Sequence, residues 1–146
     1  MNFIDDRNKL LRKMKLNNNL NKLVFAKTLF KITGGNITLM KSVANVILNR
    51  FVYEYEIDEE ITFVKCITDK SLFACWRDFK FMDNIDLENA VFQKCFRFAN
   101  DALNGMVEDD TFSSINFHKK SEFPSWATGL KPVCEVSDYL FYNNCD

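Results

Sequence analysis

The sequence predicts a mainly helical α+β domain, with about four main helices and a small β region near the C-terminus. Several segments place apolar residues at the three- and four-residue spacing of amphipathic helices, and two short stretches near the end alternate as strands do. Among 146 residues there are fifteen Phe but only four Gly and two Pro, which favours helices over a turn-rich sandwich or barrel. A chain of this length forms one domain with its own core.

Residues 1–19 are predicted to form a basic N-terminal arm, and residues 20–146 the folded domain. Basic and apolar residues alternate in the arm as in a short amphipathic helix, until three consecutive asparagines at residues 17–19 break the pattern. The basic face could touch a membrane or an acidic polymer. We favour a solvated, partly frayed arm, since short charged termini are poorly held.

Apolar residues with a helical period over residues 20–30 predict the first helix of the domain. It should end near Thr33, because Gly34 and Gly35 permit the positive φ of a sharp reversal. A central helix follows, with Thr38 as its N-cap, and extends to about Tyr53. The acidic residues 54–60 then read as a solvated loop.

The central helix is apolar on most sides, so we expect it to be surrounded by protein. Lys41, Asn45 and Asn49 form one narrow polar stripe at four-residue spacing. Arg50 falls on the packed side, where a guanidinium needs a carboxylate or several carbonyl partners.

The second half of the chain contains two further helices and the β region. A short helix is predicted over residues 60–68, and the apolar stretch 71–76 is either a strand or a buried loop. Asp86 is the predicted N-cap of the longest helix, which should end at Gly105. Residues 114–118 and 139–142 read as strands.

Charge and composition exclude several classes of function. Nineteen basic residues nearly cancel twenty acidic ones, so no overall field attracts nucleic acid. Five cysteines without a CxxC pair, together with a single histidine, predict no metal site, and no cofactor is expected. No apolar run predicts a transmembrane segment, and no signal peptide is evident. We therefore expect a cytoplasmic protein or one exported by a non-standard route.

Four motifs in order resemble the catalytic domain of the SleB/CwlJ family of bacterial cell-wall hydrolases, known from spore germination. The helix ending Val46-Ile47-Leu48-Asn49-Arg50 is similar to the family's V-I-L-N-R, and residues 62–76 are similar to its segment ending F-S-C-W. The third motif is Ala102-Leu103-Asn104-Gly105. It is followed by Asp109-Asp110-Thr111, where the family tends to have D-P-T-G-G-A, with Phe112 and Ser113 replacing its glycines. Phe117-His118, Pro124-Ser125-Trp126 and Leu140-Phe141-Tyr142 are similar to F-H-N, P-x-W and H-x-F-Y.

The resemblance implies a lysozyme-related fold and cleavage of peptidoglycan glycan strands, largely as a lytic transglycosylase. Such a reaction needs a carboxylic acid with a raised pKa that protonates the glycosidic oxygen. One acid can suffice when a hydroxyl of the substrate acts as the nucleophile, unlike the two-carboxylate arrangement of most glycosidases.

The family's acid is the first glutamate of a motif like Y-G-E-A-R-G-E, and this chain departs from it. Alignment from Arg50 without a gap puts Lys31 at the glutamate position, whereas one deletion in the turn puts Ile32 there. Neither side chain is a carboxylic acid, and Asn36 replaces the second glutamate. The implied enzyme is therefore degenerate at its acid.

Three functions stay open from the sequence. A degenerate, inactive or impaired hydrolase could still bind peptidoglycan glycan through Thr111, His118, Trp126 and Tyr142. An active hydrolase could use another carboxylate, from residues 54–60 or from Asp109 or Asp110, although Glu54 should lie too far from the turn. A protein-interaction or structural module could hold a protein partner in the old cleft.

Overall fold

The computed structural model describes residues 3–145, with side chains described from Asp6 onward. The helices are α1 (Phe3–Met14), α2 (Asn19–Thr33), α3 (Ile37–Ile57), α4 (Phe63–Ile67), α5 (Phe79–Asp83) and α6 (Ala90–Leu103). The strands are β1 (Asn116–Lys119), β2 (Cys134–Val136) and β3 (Tyr139–Tyr142). None of the helices in this range is long and apolar enough to cross a membrane.

The predicted fold class is confirmed. Within the described residues, α1, α2, α3 and α6 are the four main helices, and a three-stranded antiparallel sheet follows them in the order β1-β3-β2. The two strands that the sequence predicts form β1 and β3, and Phe117 pairs with Phe141 across them. Strand β2, on the other side of β3, was not predicted because its three residues are too few to show alternation.

The turn between α2 and α3 ends α2 where the sequence predicts it. Gly34 adopts a φ of 58° and donates its N–H to the Phe30 carbonyl at 3.0 Å. Gly35 packs so closely on α6 that an added Cβ would collide with Val91. The N-cap of α3 is Asn36, whose Oδ1 accepts the Leu39 N–H at 3.0 Å, and not the predicted Thr38.

The central helix α3 is buried along most of its length, as predicted, and it ends at Ile57 instead of about Tyr53. The predicted acidic loop thus supplies the last turn of this helix. Glu54 lies one turn beyond Arg50, and its Oε1 is 2.8 Å from the Arg50 Nη2. Of the two kinds of partner expected for Arg50, a carboxylate or several carbonyls, the structure provides the carboxylate.

Polar side chains of α3, among them Asn45 and Asn49 of the predicted stripe, form hydrogen bonds with the loop that follows α6. Ser42 Oγ donates to Asp110 Oδ2 at 3.0 Å, and Asn45 Nδ2 donates to Asp110 Oδ1 at 3.1 Å. One turn further along, Asn49 Nδ2 donates to Asp109 Oδ2 at 3.2 Å. These buried amides and the hydroxyl satisfy a loop that has no secondary structure of its own.

The N-terminal helix α1 packs on this same region, so the expectation of a solvated, frayed arm is wrong for the described residues. Arg7 is only 1% exposed and Leu11 is fully buried. Arg7 donates from Nη1 to Asn49 Oδ1 at 2.8 Å and from Nη2 to the Val107 carbonyl at 2.9 Å. These partners offset the cost of burying the guanidinium. Residues 1–2 of the predicted arm and residue 146 of the predicted domain lie outside the described residues, and the functional division between arm and domain stays a prediction.

The second half of the chain differs from the prediction at α6 and at α5. Helix α6 begins at Ala90, because Asn89 and not Asp86 caps it, and α3 is longer than α6. Of the two alternatives for residues 71–76 the strand is wrong, since they form turns and the start of a 3₁₀ helix (Ala74–Arg77). The predicted short helix is confirmed as α4, whereas α5 was not predicted.

Candidate functional site

A cleft of about 790 Å³ lies between the helical part of the molecule and the sheet. One side is formed by the end of α2 and by the segment that leads into the 3₁₀ helix at residues 74–77. The other side is formed by β1, the following loop and Tyr139 of β3. Four of the residues that the sequence predicts for the site line this cleft: Lys31, Ile32, His118 and Trp126.

The two candidate acid positions lie side by side at the end of α2, and their surroundings differ. Lys31 extends toward α5, where its Nζ is 3.2 Å from Asp78 Oδ2 and 4.1 Å from the centroid of the Phe81 ring. Ile32 is half-buried against the core, and its carbonyl oxygen is 3.5 Å from the Tyr139 hydroxyl. Ile32 is therefore the position nearer to the sheet.

Three aromatic rings meet at the sheet side of the cleft. His118 stacks on Tyr142, with ring centroids 5.3 Å apart, and Trp126 meets both rings edge-on at 5.6 Å and 5.2 Å. Tyr142 is only 3% exposed, so it supports the other two rings from behind. We call His118, Trp126 and Tyr142 the aromatic cluster.

The hydrogen bonds of His118 fix its tautomer. Nδ1 is 2.6 Å from the Lys119 carbonyl oxygen, which can only accept, so Nδ1 carries the proton. In the neutral ring Nε2 then accepts from the Tyr142 hydroxyl at 2.9 Å. Both ring nitrogens are thus engaged within the protein, which suits a positioned aromatic surface better than a proton donor.

The loop with Asp109, Asp110 and Thr111 lies outside the residues that line the cleft. Thr111 is fully buried and donates its hydroxyl to Asp109 Oδ1 at 2.6 Å. Asp109 also accepts the Ser113 N–H at 2.8 Å, and Asp110 is held by α3. The structure does not bring these three residues together with the aromatic cluster at the cleft surface, and their contacts are those of a braced loop.

The cleft also contains residues that the sequence reasoning missed. Glu122 and Phe123 follow β1, and they are the neighbours of the Pro124 to Trp126 motif. Phe123 is 90% exposed. Three further cations, Lys70, Arg77 and Lys119, stand on the lining. Lys119 follows His118, Arg77 follows the motif that ends at Trp76, and Lys70 lies within residues 62–76, yet the sequence did not identify any of the three as a site residue.

Two groups in the cleft, the Cys75 thiol and the Tyr139 hydroxyl, have raised pKa values and stay protonated at neutral pH. Burial raises the pKa of the Cys75 thiol to about 12. Burial, together with the nearby charges of Asp138 and Glu122, raises the pKa of the Tyr139 hydroxyl to about 12. Such groups are poor general acids near pH 7, since they hold their protons too tightly.

Among the residues whose side chains are described, 6–145, no cluster that could hold a metal ion occurs. Glu122 is the one carboxylate among the cleft-lining residues of that range. It is exposed, and its Oε1 accepts the Lys119 N–H at 3.0 Å. The cleft can therefore offer aromatic surface, cations and one solvated carboxylate to a ligand.

Comparison with known proteins gives one match. The family model described as Cell Wall Hydrolase matches residues 34–142, which is most of the chain. The matched segment contains α3, α6, the sheet and the aromatic cluster, and Lys31 and Ile32 lie just ahead of it. No curated protein and no solved structure matched the chain.

Proposed function

The chain belongs to the cell wall hydrolase family, and from this membership we propose that its cleft binds peptidoglycan glycan strands without cleaving them. The observation that carries the proposal is the composition of the cleft. It keeps an aromatic surface suited to sugar rings, yet both candidate acid positions, Lys31 and Ile32, lack a carboxyl group.

Binding is supported by the exposed aromatic surface of the cleft. Sugar rings present C–H faces that stack on aromatic rings, while their hydroxyls need polar neighbours. Trp126 is half-buried against His118 and Tyr142, so its ring is held in place before a ligand arrives. A preorganised ring loses little conformational entropy on binding.

The proposed loss of cleavage follows from the need for an acid. Lys31 is paired with Asp78, its Nζ 3.2 Å from Asp78 Oδ2, and it offers no carboxyl group to the cleft. Ile32 has no proton to give. Asp109 and Asp110 are engaged by α3 and by their own loop, and Glu54 is paired with Arg50. None of these three carboxylates lines the cleft.

The test combines a cleavage assay with a binding assay on the same purified peptidoglycan. We expect no anhydro-muropeptides by mass spectrometry, and co-sedimentation of the protein with the insoluble wall. Release of anhydro-muropeptides would overturn the loss of cleavage. If the protein does not sediment with the wall, glycan binding is overturned. The remaining alternative is then a module that binds a protein partner in the cleft.

Glu122 supports a second candidate function, an active hydrolase with a displaced acid. It lines the same cleft as His118 and Trp126. We rank this candidate second because Glu122 is exposed, whereas the acid of a glycosidase works from a partly dry pocket. If peptidoglycan is cleaved, Glu122→Gln should abolish the cleavage, and Glu88→Gln, which changes another exposed carboxylate outside the cleft lining, should not.

A further inference from the structure

The residues that line the cleft are strongly biased toward positive charge. Four cations (Lys31, Lys70, Arg77 and Lys119) stand on its lining against one carboxylate, Glu122. The whole chain has nineteen basic and twenty acidic residues, and its formal net charge is −1. The cations are therefore concentrated at the cleft and do not reflect a generally basic protein.

Three of these cations are not neutralised by the protein. Lys31 is paired with Asp78, but among the residues whose side chains are described no salt bridge joins Lys70, Arg77 or Lys119 to a carboxylate. Lys70 lies 4.2 Å from the centroid of the Phe79 ring, which orients the ammonium group without cancelling its charge. All three residues are exposed, so they can reach a ligand.

The charge of peptidoglycan matches this lining. Its sugars carry lactyl groups and peptide stems, and the stems end in carboxylates. Arg77 can bind a carboxylate with two parallel hydrogen bonds, and the lysines can act as point charges. A neutral sugar polymer would leave these charges without partners in the bound state.

We propose that the cleft selects carboxylate-bearing glycan strands, and that Lys70, Arg77 and Lys119 pair with those carboxylates. This inference rests on the proposed glycan-binding function, which it makes more specific. His118, Trp126 and Phe123 contact the sugars, and the cations bind the acidic substituents. Attraction between exposed charges is screened by salt, so binding weakens as ionic strength rises.

The test titrates the full chain with three soluble ligands, and the dissociation constant is measured by calorimetry. The ligands are glycan strands with peptide stems, the same strands with carboxylates converted to amides, and chitin oligosaccharides. We expect amidation to weaken binding ten-fold or more, and 0.5 M salt (roughly a 4 Å screening length) to weaken binding of the native strands only. Chitin should bind like the amidated strands.

A triple variant, Lys70→Gln, Arg77→Gln and Lys119→Gln, should lose the preference for native strands. The matched control, Lys13→Gln, Lys65→Gln and Lys131→Gln, makes the same change in net charge at exposed lysines outside the cleft lining and should keep the preference. Thermal unfolding of both variants checks that they fold.

The outcomes separate this inference from the function on which it rests. If none of the three ligands binds, the proposed glycan binding itself fails. If native and amidated strands bind equally and the triple variant behaves as the wild type, glycan binding stands and the selection of carboxylates is overturned. If free stem peptides bind as tightly as whole strands, the cleft recognises an acidic peptide, and the inference is likewise overturned.

Discussion

Asn49 donates a hydrogen bond from Nδ2 to Asp109 Oδ2 at 3.2 Å, and this bond ties the central helix to the loop after α6. The same amide donates to the Ser114 carbonyl at 2.9 Å, while its Oδ1 accepts from Arg7 at 2.8 Å. One fully buried side chain thus joins α1, α3 and the loop that precedes the sheet.

Replacement of this amide should therefore destabilise the fold. In Asn49→Ala three hydrogen bonds are lost, two of them buried, and Arg7, Asp109 and the Ser114 carbonyl each lose a partner. A buried group left without a hydrogen-bond partner costs more free energy than the bond itself contributed. We therefore expect a loss of about 2–4 kcal/mol in the free energy of unfolding. Urea denaturation measures it. Asn84→Ala, the control, removes one exposed bond and should cost less than about 1 kcal/mol. Equal losses for the two variants would contradict the role of Asn49.

The loop after α6 contains backbone strain that a glycine should relieve. Phe112 has a φ of 53°, and its side chain is 68% exposed, so it gives little packing in return. A non-glycine residue in the left-handed region costs roughly 1–2 kcal/mol. Phe112→Gly should therefore raise the free energy of unfolding by about 1 kcal/mol after the entropy cost of glycine, seen as a higher melting temperature.

Two control variants separate relief of strain from loss of an exposed ring. Phe112→Ala keeps a Cβ at the strained position and should show no comparable gain. Phe123 is also exposed but is not among the residues with positive φ, so Phe123→Gly should be neutral or slightly destabilising. An unchanged melting temperature for Phe112→Gly would count against the strain.

The sequence could predict those features that depend on local chemistry. Neighbouring residues suffice to predict the Gly34 turn and the burial of α3. They also predict that Arg50 needs a carboxylate or several carbonyl partners. The resemblance also marks the positions of Phe112 and Ser113 as glycines in the family, and the structure has positive φ at both. The docking of α1 could not be predicted, because Arg7 is held by residues 42 and 100 positions away.

The same division applies to the cleft. The resemblance to the family identified four site residues, and all four line the cleft: Lys31, Ile32, His118 and Trp126. Thr111 was included because it follows Asp109-Asp110, although its burial depends on bonds that only the folded loop shows. The cations Lys70 and Arg77 lie in or next to the motif segment 62–76, but one sequence cannot show that they line a cleft, because this depends on where distant segments meet.

The thiols of Cys66, which is buried, and Cys75, which is half-buried, should make the protein less stable at alkaline pH. Burial raises the pKa of Cys66 and of Cys75 from 9.0 to about 12. Above pH 9 the unfolded chain therefore loses these protons while the folded chain keeps them, so stability present below pH 9 is lost as pH rises toward 12. Each thiol contributes at most about 1.4 kcal/mol per pH unit.

Urea denaturation between pH 8 and pH 10 measures this dependence. Cys66→Ala, although less stable overall because it leaves a small cavity, should show a shallower decline than the wild type. A wild-type stability that stays constant or rises across this range would contradict the assignment. Parallel curves for wild type and variant would exclude Cys66 as a contributor.

Removal of the Trp126 ring should weaken glycan binding. Trp126 lines the cleft and contacts both other members of the aromatic cluster, so Trp126→Ala removes sugar-stacking surface. We expect about a ten-fold rise in the dissociation constant for soluble peptidoglycan strands, since an aromatic contact contributes on the order of 1 kcal/mol or more. Phe112→Ala removes an exposed aromatic ring outside the cleft lining and should leave the constant unchanged. Equal effects would indicate nonspecific hydrophobic binding.

Introduction of a carboxyl group at the end of α2 tests which of the two candidate positions, Lys31 or Ile32, corresponds to the acid of the family. Ile32 is half-buried near Tyr139, so a glutamate there would have a raised pKa and could donate a proton to a sugar in the cleft. Ile32→Glu should release anhydro-muropeptides at roughly 10²–10⁴ times the background rate measured with the wild type. Lys31→Glu is the matched control, because the new carboxylate would point toward Asp78 and α5. Activity in Lys31→Glu alone would reverse the assignment. If thermal unfolding shows that both variants are folded and neither is active, a carboxyl group at the end of α2 is not sufficient for cleavage.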